Sequence, residues 1–320
     1  MYMLKYILKR LGLMIMTFLI IFVVCFVLIK LLPFEPEAVL GKDGDLVKKQ
    51  FEARGYYDPI LVQLWKTVKR IVTKGDWGIS YMLPEYRLQP VWDVFVEKLP
   101  PTVLINVYST VVAVPLGIGL GIYAALRKNK WQDHVISTGV MLFISVPSFI
   151  YAFLVQYLFC FLLKWFPITM KAGFDYFTWD MIRSMLPAVI AMSFGSIAGY
   201  ARGTRAELTE VLTSEFMLLA RTKGLTRGQA TVRHALKNAM VPIFPSIVGE
   251  FVAVLSGSLI IEKIFAIPGV GNLYLNSINY KDYDFFMLLS SFYIFIGLAA
   301  AIVIDLSYGF IDPRIRMGAK

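Results

Sequence analysis

The chain has 320 residues, of which 58% are hydrophobic and only 17% charged, with a mean hydropathy of +0.65. Soluble globular proteins lie far below that, so the composition marks a polytopic membrane protein. The net charge of +10 is scattered over several loops instead of forming one stripe, which argues against a nucleic-acid partner; two histidines and two cysteines leave little for metal or redox chemistry, and Cys25 and Cys160, both in apolar runs, give no readable disulfide framework.

The first apolar run, residues 11–32, follows Lys5, Lys9 and Arg10. It is longer than the apolar core of a signal peptide and no small-x-small cleavage site follows, so it reads as an uncleaved first span. Five further runs can cross a hydrocarbon layer about 30 Å thick at ~1.5 Å per residue: residues 102–126, 135–163, 184–201, 238–261 and 285–304. The expected architecture is all-α with six transmembrane helices and both termini on one side. Lysine and arginine outside the spans divide 16 on that side against 15 on the other, but ten of the latter fall in segment 33–98. The positive-inside rule loses force for translocated segments longer than roughly 60 residues. Setting that segment aside leaves 16 against 5, which puts both termini and segment 207–242 in the cytoplasm.

Segment 33–98 is the main extracytoplasmic feature. Its stretches 46–53 and 60–72 suit short amphipathic helices, separated by Gly55, Asp58 and Pro59. Such a cap either docks an external partner or packs over the first two spans. Within the spans, Gly117, Gly119, Gly121, Gly195, Gly199 and Gly203 contain small-xxx-small spacing, which allows close helix approach. Pro115, Pro147, Pro187, Pro242 and Pro245 are expected to bend or interrupt their helices. Glu250 lies near the middle of the fifth run, where a charge costs on the order of 3 kcal/mol, so it should face the bundle interior as a polar interhelical contact or line a passage. Asp305 stands close enough to Arg314 or Arg316 for a surface pairing.

Between the fourth and fifth runs lies a polar, helix-patterned segment. Ser214 can cap a short helix whose last turn carries Arg221 and Lys223, and Gly224 supplies a left-handed exit. Thr226 stands three residues before Gln229, a capping box that starts a second helix through Arg233 and Lys237. A DNA-reading helix-turn-helix has the same coarse signature, but tethering to membrane at both ends leaves no face free to enter a groove. A stiff two-helix bracket between spans suits receipt of force from a soluble partner. The chain lacks a GxxxxGKS/T phosphate loop, a GxSxG elbow, an HExxH helix and any cluster of intramembrane acids and bases. No catalytic residue and no metal ligand is therefore assigned, and energy for transport would enter through another subunit.

The segment ARTKGLTRGQATVRHALKNAMVP, residues 220–242, resembles the cytoplasmic EAA loop of bacterial ABC importer permeases, in the variant of the oligopeptide and dipeptide permease family. EKIFAIPGVG (262–271), DPRIR (312–316), GDWGIS (75–80) and LKRLG (8–12) are similar to other stretches of that family, and the long first external loop resembles that of the first of its two permease subunits. The resemblance covers essentially the whole chain. It implies a type I importer permease fold in the bacterial inner membrane: an N-terminal span (1–32), an extracytoplasmic cap (33–98), a permease core (99–310) and a cytoplasmic tail (311–320). It also implies a second homologous permease subunit, two cytoplasmic ATPases that carry ATP and magnesium, an extracytoplasmic peptide-binding protein, a peptide substrate and surrounding lipid, with no cofactor on this chain. Residues 214–224 would form the coupling helix. Phe216, Met217, Leu219 and Ala220 would enter an ATPase groove, Glu215, Arg221 and Lys223 would make polar contacts, Gly224 would end the helix, and Pro242 and Pro245 would act as hinges. Leu218 stands where the wider superfamily places a glutamate. Nickel chelates and glutathione are alternative substrates within the family. A self-sufficient secondary transporter is disfavoured by the absence of internal repeats and of an ionisable relay.

Overall fold

The computed structural model describes residues 2–32, 44–256 and 258–311. Among them no β-strand occurs; a lone bridge joins Ile79 and Pro90. Four helices are long and apolar enough to cross a membrane, Tyr6–Leu31, Val91–Leu126, Trp179–Leu212 and Tyr283–Tyr308. A fifth crossing arises if Trp131–Ser145 and Ser148–Leu162, bent by 104° at Val146 and Pro147, count as one. The expected six are therefore four or five among the described residues. Run 238–261 enters neither count, being divided into a helix Leu236–Ala253, a 3-10 turn Val254–Ser256 and a short helix Leu259–Ile264. Lys237, Asn238, Pro242, Pro245 and Glu250 dilute the apolar character of the first piece.

The helices are α1 (Tyr2–Leu31), α2 (Gly44–Arg54), α3 (Ile60–Lys74), α4 (Val91–Leu126), α5 (Trp131–Ser145), α6 (Ser148–Val155), α7 (Trp179–Leu212), α8 (Glu215–Thr222), α9 (Arg227–Ala230), α10 (Leu236–Ala253), α11 (Leu259–Ile264), α12 (Val270–Asn279) and α13 (Tyr283–Ile311). The expected proline effects differ by site. Only Pro147 sits at a sharp break; Pro187, Pro242 and Pro245 lie inside continuous helices. The pairing of Asp305 with Arg314 or Arg316, and the 312–316 ending, lie outside the described residues.

Two compact units divide the chain. The first comprises Met1–Thr102, Ser256–Leu259 and Pro268–Ala299. Here Ile60, Leu64, Val68 and Ile71, one face of α3, pack against Phe22, Phe26, Tyr283 and Met287. Asp282 is buried and organises the strand-like loop before α4: its Oδ2 accepts from Ser80 Oγ at 2.8 Å, Tyr81 N and Met82 N at 2.9 Å and Leu83 N at 3.4 Å. Burial pushes its carboxyl above the ordinary carboxylate value, and the Met82 amide and Ser80 hydroxyl pull the other way. Beside it, Asp284 Oδ2 accepts from Ile79 N and pairs with Arg54 at 3.5 Å, while its Oδ1 takes Arg70 Nη2 at 3.4 Å. Gly78, at φ +108°, lies so near Asp284 that any Cβ would run into that carboxylate.

The second unit comprises Val103–Leu255, Ile260–Ile267 and Ala300–Lys320. Its axis is α7, against which α5, α6 and α10 pack. Gly117 and Gly121 of α4 meet α7 closely: Cβ atoms there would fall 2.6 Å from the Cβ atoms of Tyr200 and Thr204. Small-residue packing thus applies to these two, whereas Gly119, Gly199 and Gly203 have nothing within 4 Å.

Candidate functional site

Two features of the second unit stand out, a capped polar bracket and a cavity that begins beside it. In the bracket, α8 ends in a paired turn. Gly224 takes φ +91°, its N–H donates to Arg221 O at 3.0 Å, and Leu225 N reaches Ala220 O at 3.4 Å. This is the Schellman arrangement, with Leu225 packed back on the bracket core as the motif requires. The capping box is complete: Gln229 N donates to Thr226 Oγ1 at 3.3 Å and Thr226 N to Gln229 Oε1 at 3.1 Å. Ser214 departs from expectation. It occupies the N-cap position of α8, but its hydroxyl donates backward to Val211 O at 2.7 Å and caps no N–H of α8.

The expected contact residues of α8 separate by face. Met217 and Ala220 are buried at 4% and 7% exposure, in a core with Ala125, Leu208, Ala230, Ala235 and Ala239. They hold the bracket together and are not offered to a partner. Phe216 and Leu219 are exposed, and so is Leu218 at 64%, the most exposed of the apolar set. Glu215, Arg221, Lys223 and Gly224 also lie on the surface. Phe216 stands edge-on to His234, which braces it from the following segment. That segment, Thr231–Ala235, is π-helical, and Thr231 Oγ1 bonds Arg227 O at 2.8 Å across it.

Above the bracket, one stripe of α7 faces one stripe of α10 across a cavity of about 430 Å³. Ser196, Gly199, Tyr200, Gly203 and Glu207 recur at helical spacing on α7; Pro242, Ser246 and Glu250 do so on α10. The two open glycines of α7 make the room. Ser196 Oγ donates to Glu250 Oε1 at 2.8 Å, and Tyr200 OH to Ser246 O at 3.2 Å, so Glu250 both bridges the helices and lines the cavity. Thr204 Oγ1, on a residue that also lines it, is buried and has no hydrogen-bond partner among the described residues. Pro242 and Pro245 leave α10 unbroken, but each removes one N–H donor from its backbone ladder. The arrangement is a polar cavity wall that carries two carboxylates, Glu207 and Glu250, and the hydroxyls of Ser196, Tyr200, Thr204 and Ser246.

Three features escape sequence reading. Tyr200 and Glu207 carry no local signal of a shared cavity. The third is an ion pair: Asp133, 1% exposed at the start of α5, holds Arg205 of α7.

Comparison with known proteins bears on this geometry. Residues 117–317 match the protein family described as binding-protein-dependent transport system inner membrane component. The chain is similar to the dipeptide transport system permease protein DppB of Bacillus subtilis (strain 168), 36% identical over 320 residues and 99% of each chain. It is also similar to the oligopeptide transport system permease protein OppB of Escherichia coli (strain K12), 31% identical over 318 residues, 98% of this chain and 100% of that one. A third relative is the glutathione transport system permease protein GsiC of Salmonella choleraesuis (strain SC-B67), 32% identical over 324 residues, 98% of this chain and 99% of that one.

Proposed function

Because this chain belongs to the family of binding-protein-dependent transport system inner membrane components, we propose that it is one permease subunit of an ATP-driven importer of short peptides. In this reading it forms half of a translocation pathway with a second, homologous permease. Two cytoplasmic ATPases hold ATP and magnesium, an extracytoplasmic binding protein delivers the peptide, and this chain is itself non-catalytic. Both termini and the bracket face the cytoplasm. The names of the relatives supply the substrate class: dipeptides, oligopeptides and glutathione, itself a small peptide.

The observation that carries the reading is the two-faced helix α8. Met217 and Ala220 fix it to the chain's own core while Phe216, Leu218 and Leu219 stand outward as an apolar ridge on a polar surface. A short amphipathic helix of this kind is suited to lie in a partner's groove. Its motion reaches the cavity directly, because the bracket core joins α7 and α10, the two walls that carry Glu207 and Glu250.

Purification from native membranes tests this. The chain should come away with a second permease and two ATPase copies, and peptide uptake in proteoliposomes should require ATP and the binding protein. Uptake by the purified chain alone would overturn the reading in favour of a secondary transporter.

A further inference from the structure

A second cavity, of about 330 Å³, lies in the first unit, far in sequence from the bracket. Its wall is strongly cationic: Lys30, Arg54, Lys66, Lys69, Arg70 and Lys74 line it against two carboxylates, Asp76 and Asp284. Some of these cations are committed. Lys66 Nζ holds Asp58 at 2.5 Å, and Arg54 and Arg70 share Asp284. Arg54 Nη1 and Arg70 Nε, both buried, lie 3.5 Å from Asp284 Oδ2 and 3.9 Å from Asp76 Oδ2 and make no hydrogen bond among the described residues, so these two donors are held only loosely. Lys30 Nζ stacks over the rings of Tyr56 and Tyr283 at 3.9 and 4.0 Å and, among the described residues, has no carboxylate within 4 Å. An excess of cations around a concave surface draws an anion.

The level of this cavity in the membrane is set by its own residues. Lys30 lies in the last turn of α1 and Tyr283 is the first residue of α13, so both mark where membrane-spanning helices leave the hydrocarbon. Phe26 and Met287, one turn deeper on the same two helices, give the cavity an apolar floor. Helix α3 roofs it and has three faces. One packs inward, one carries Lys66, Lys69, Arg70 and Lys74, and the third exposes Leu61, Trp65 and Val72 at 76%, 68% and 78%. A helix with an apolar, tryptophan-bearing face and a lysine-rich face lies in the interfacial layer of a bilayer.

We propose that this cavity is a binding site for the phosphodiester headgroup of an anionic phospholipid, with acyl chains running down past Phe26 and Met287 along α1. A zwitterionic headgroup would bring its own cation against the lysine wall and is selected against.

The test uses the intact transporter complex, purified and placed in nanodiscs of equal phosphatidylglycerol and phosphatidylcholine, with retained lipid counted by native mass spectrometry. The native protein should keep phosphatidylglycerol over phosphatidylcholine by about tenfold, which is 1.4 kcal/mol of selectivity. The double variant Lys69→Gln/Lys74→Gln, both exposed and outside the packed face of α3, should lose most of that preference. The control Arg227→Gln/Arg233→Gln removes the same charge elsewhere and should keep it. Equal retention of the two lipids by the native protein, or an unchanged preference in the lysine variant, would overturn the proposal. So would displacement of the retained lipid by millimolar inorganic phosphate, which would make the site one for free anion. Unchanged lipid retention with weakened binding of the extracytoplasmic binding protein would reassign the surface to protein docking.

Discussion

Arg205 of α7 forks onto Asp133 at the start of α5, Nε to Oδ1 at 2.5 Å and Nη2 to Oδ2 at 2.8 Å. The Asp133 side chain is 2% exposed and Arg205 33%, and the same carboxylate also accepts Asn129 N at 2.9 Å. The pair ties the loop before α5 to the stretch of α7 that leads into the bracket. Asp133→Asn should lower stability by about 1–3 kcal/mol, because it removes the charge-assisted pair and leaves a guanidinium only partly solvated. Arg205→Lys should restore little, since an ammonium cannot reproduce the fork. Thermal unfolding of the detergent-purified protein measures both; an unchanged midpoint for Asp133→Asn would show that the pair carries no stability.

Gly224 tests coupling. At φ +91° a β-branched side chain is strained by about 1–3 kcal/mol, and the Schellman turn would open. Gly224→Val in the assembled transporter should therefore leave ATP hydrolysis measurable while peptide uptake falls, and Gly224→Asn should recover part of it because asparagine tolerates the left-handed region. Normal uptake by the valine variant would remove the bracket from the mechanism.

The two faces of α8 should respond differently to charge. Leu218→Asp and Leu219→Asp place a carboxylate in solvent and should spare the fold, yet weaken recovery of the ATPases by about tenfold or more, the effect of losing ~1.4 kcal/mol at an apolar contact. Met217→Asp buries a charge in the bracket core and should reduce the amount of folded protein itself. Equal ATPase recovery across Leu218→Asp, Leu219→Asp and native protein would place the docking surface elsewhere.

Gly75 and Gly78 separate backbone strain from collision. Both have positive φ, but Gly75 has open space around it and Gly78 abuts Asp284. Gly75→Ala should cost about 1 kcal/mol from backbone alone. Gly78→Ala should cost about 2–4 kcal/mol, because the carboxylate must also move off Ile79 N. Chemical unfolding of the two variants side by side gives the difference, and equal losses would mean that the Asp284 contact yields freely.

What the sequence alone disclosed was what depends on neighbours within a few residues. The Thr226–Gln229 box and the Gly224 exit are local hydrogen-bond patterns, and they form as spacing implies. The approach of Gly117 and Gly121 follows from a four-residue repeat. Orientation of α8 was not legible, because residues 216–220 are apolar throughout and no periodicity selects the buried pair. The failure at Ser214 has a similar origin: a hydroxyl with two backbone choices closed the helix behind it instead of opening the one ahead. Asp133 and Asp282 find partners 72 and about 200 residues away, a separation at which no local pattern exists.

That last separation has a consequence for how the chain is made. Ser80 and the amides of Tyr81 and Met82 have their acceptor at Asp282, which leaves the ribosome some two hundred residues after them. Closing so long a loop is slow, and the contact cannot help nucleate folding. These donors therefore gain their native acceptor only once the chain has been made as far as the start of α13. A chain truncated before residue 282 would lack the acceptor that Ser80, Tyr81 and Met82 share, so the loop's fixed form depends on the distant C-terminal part of its own unit.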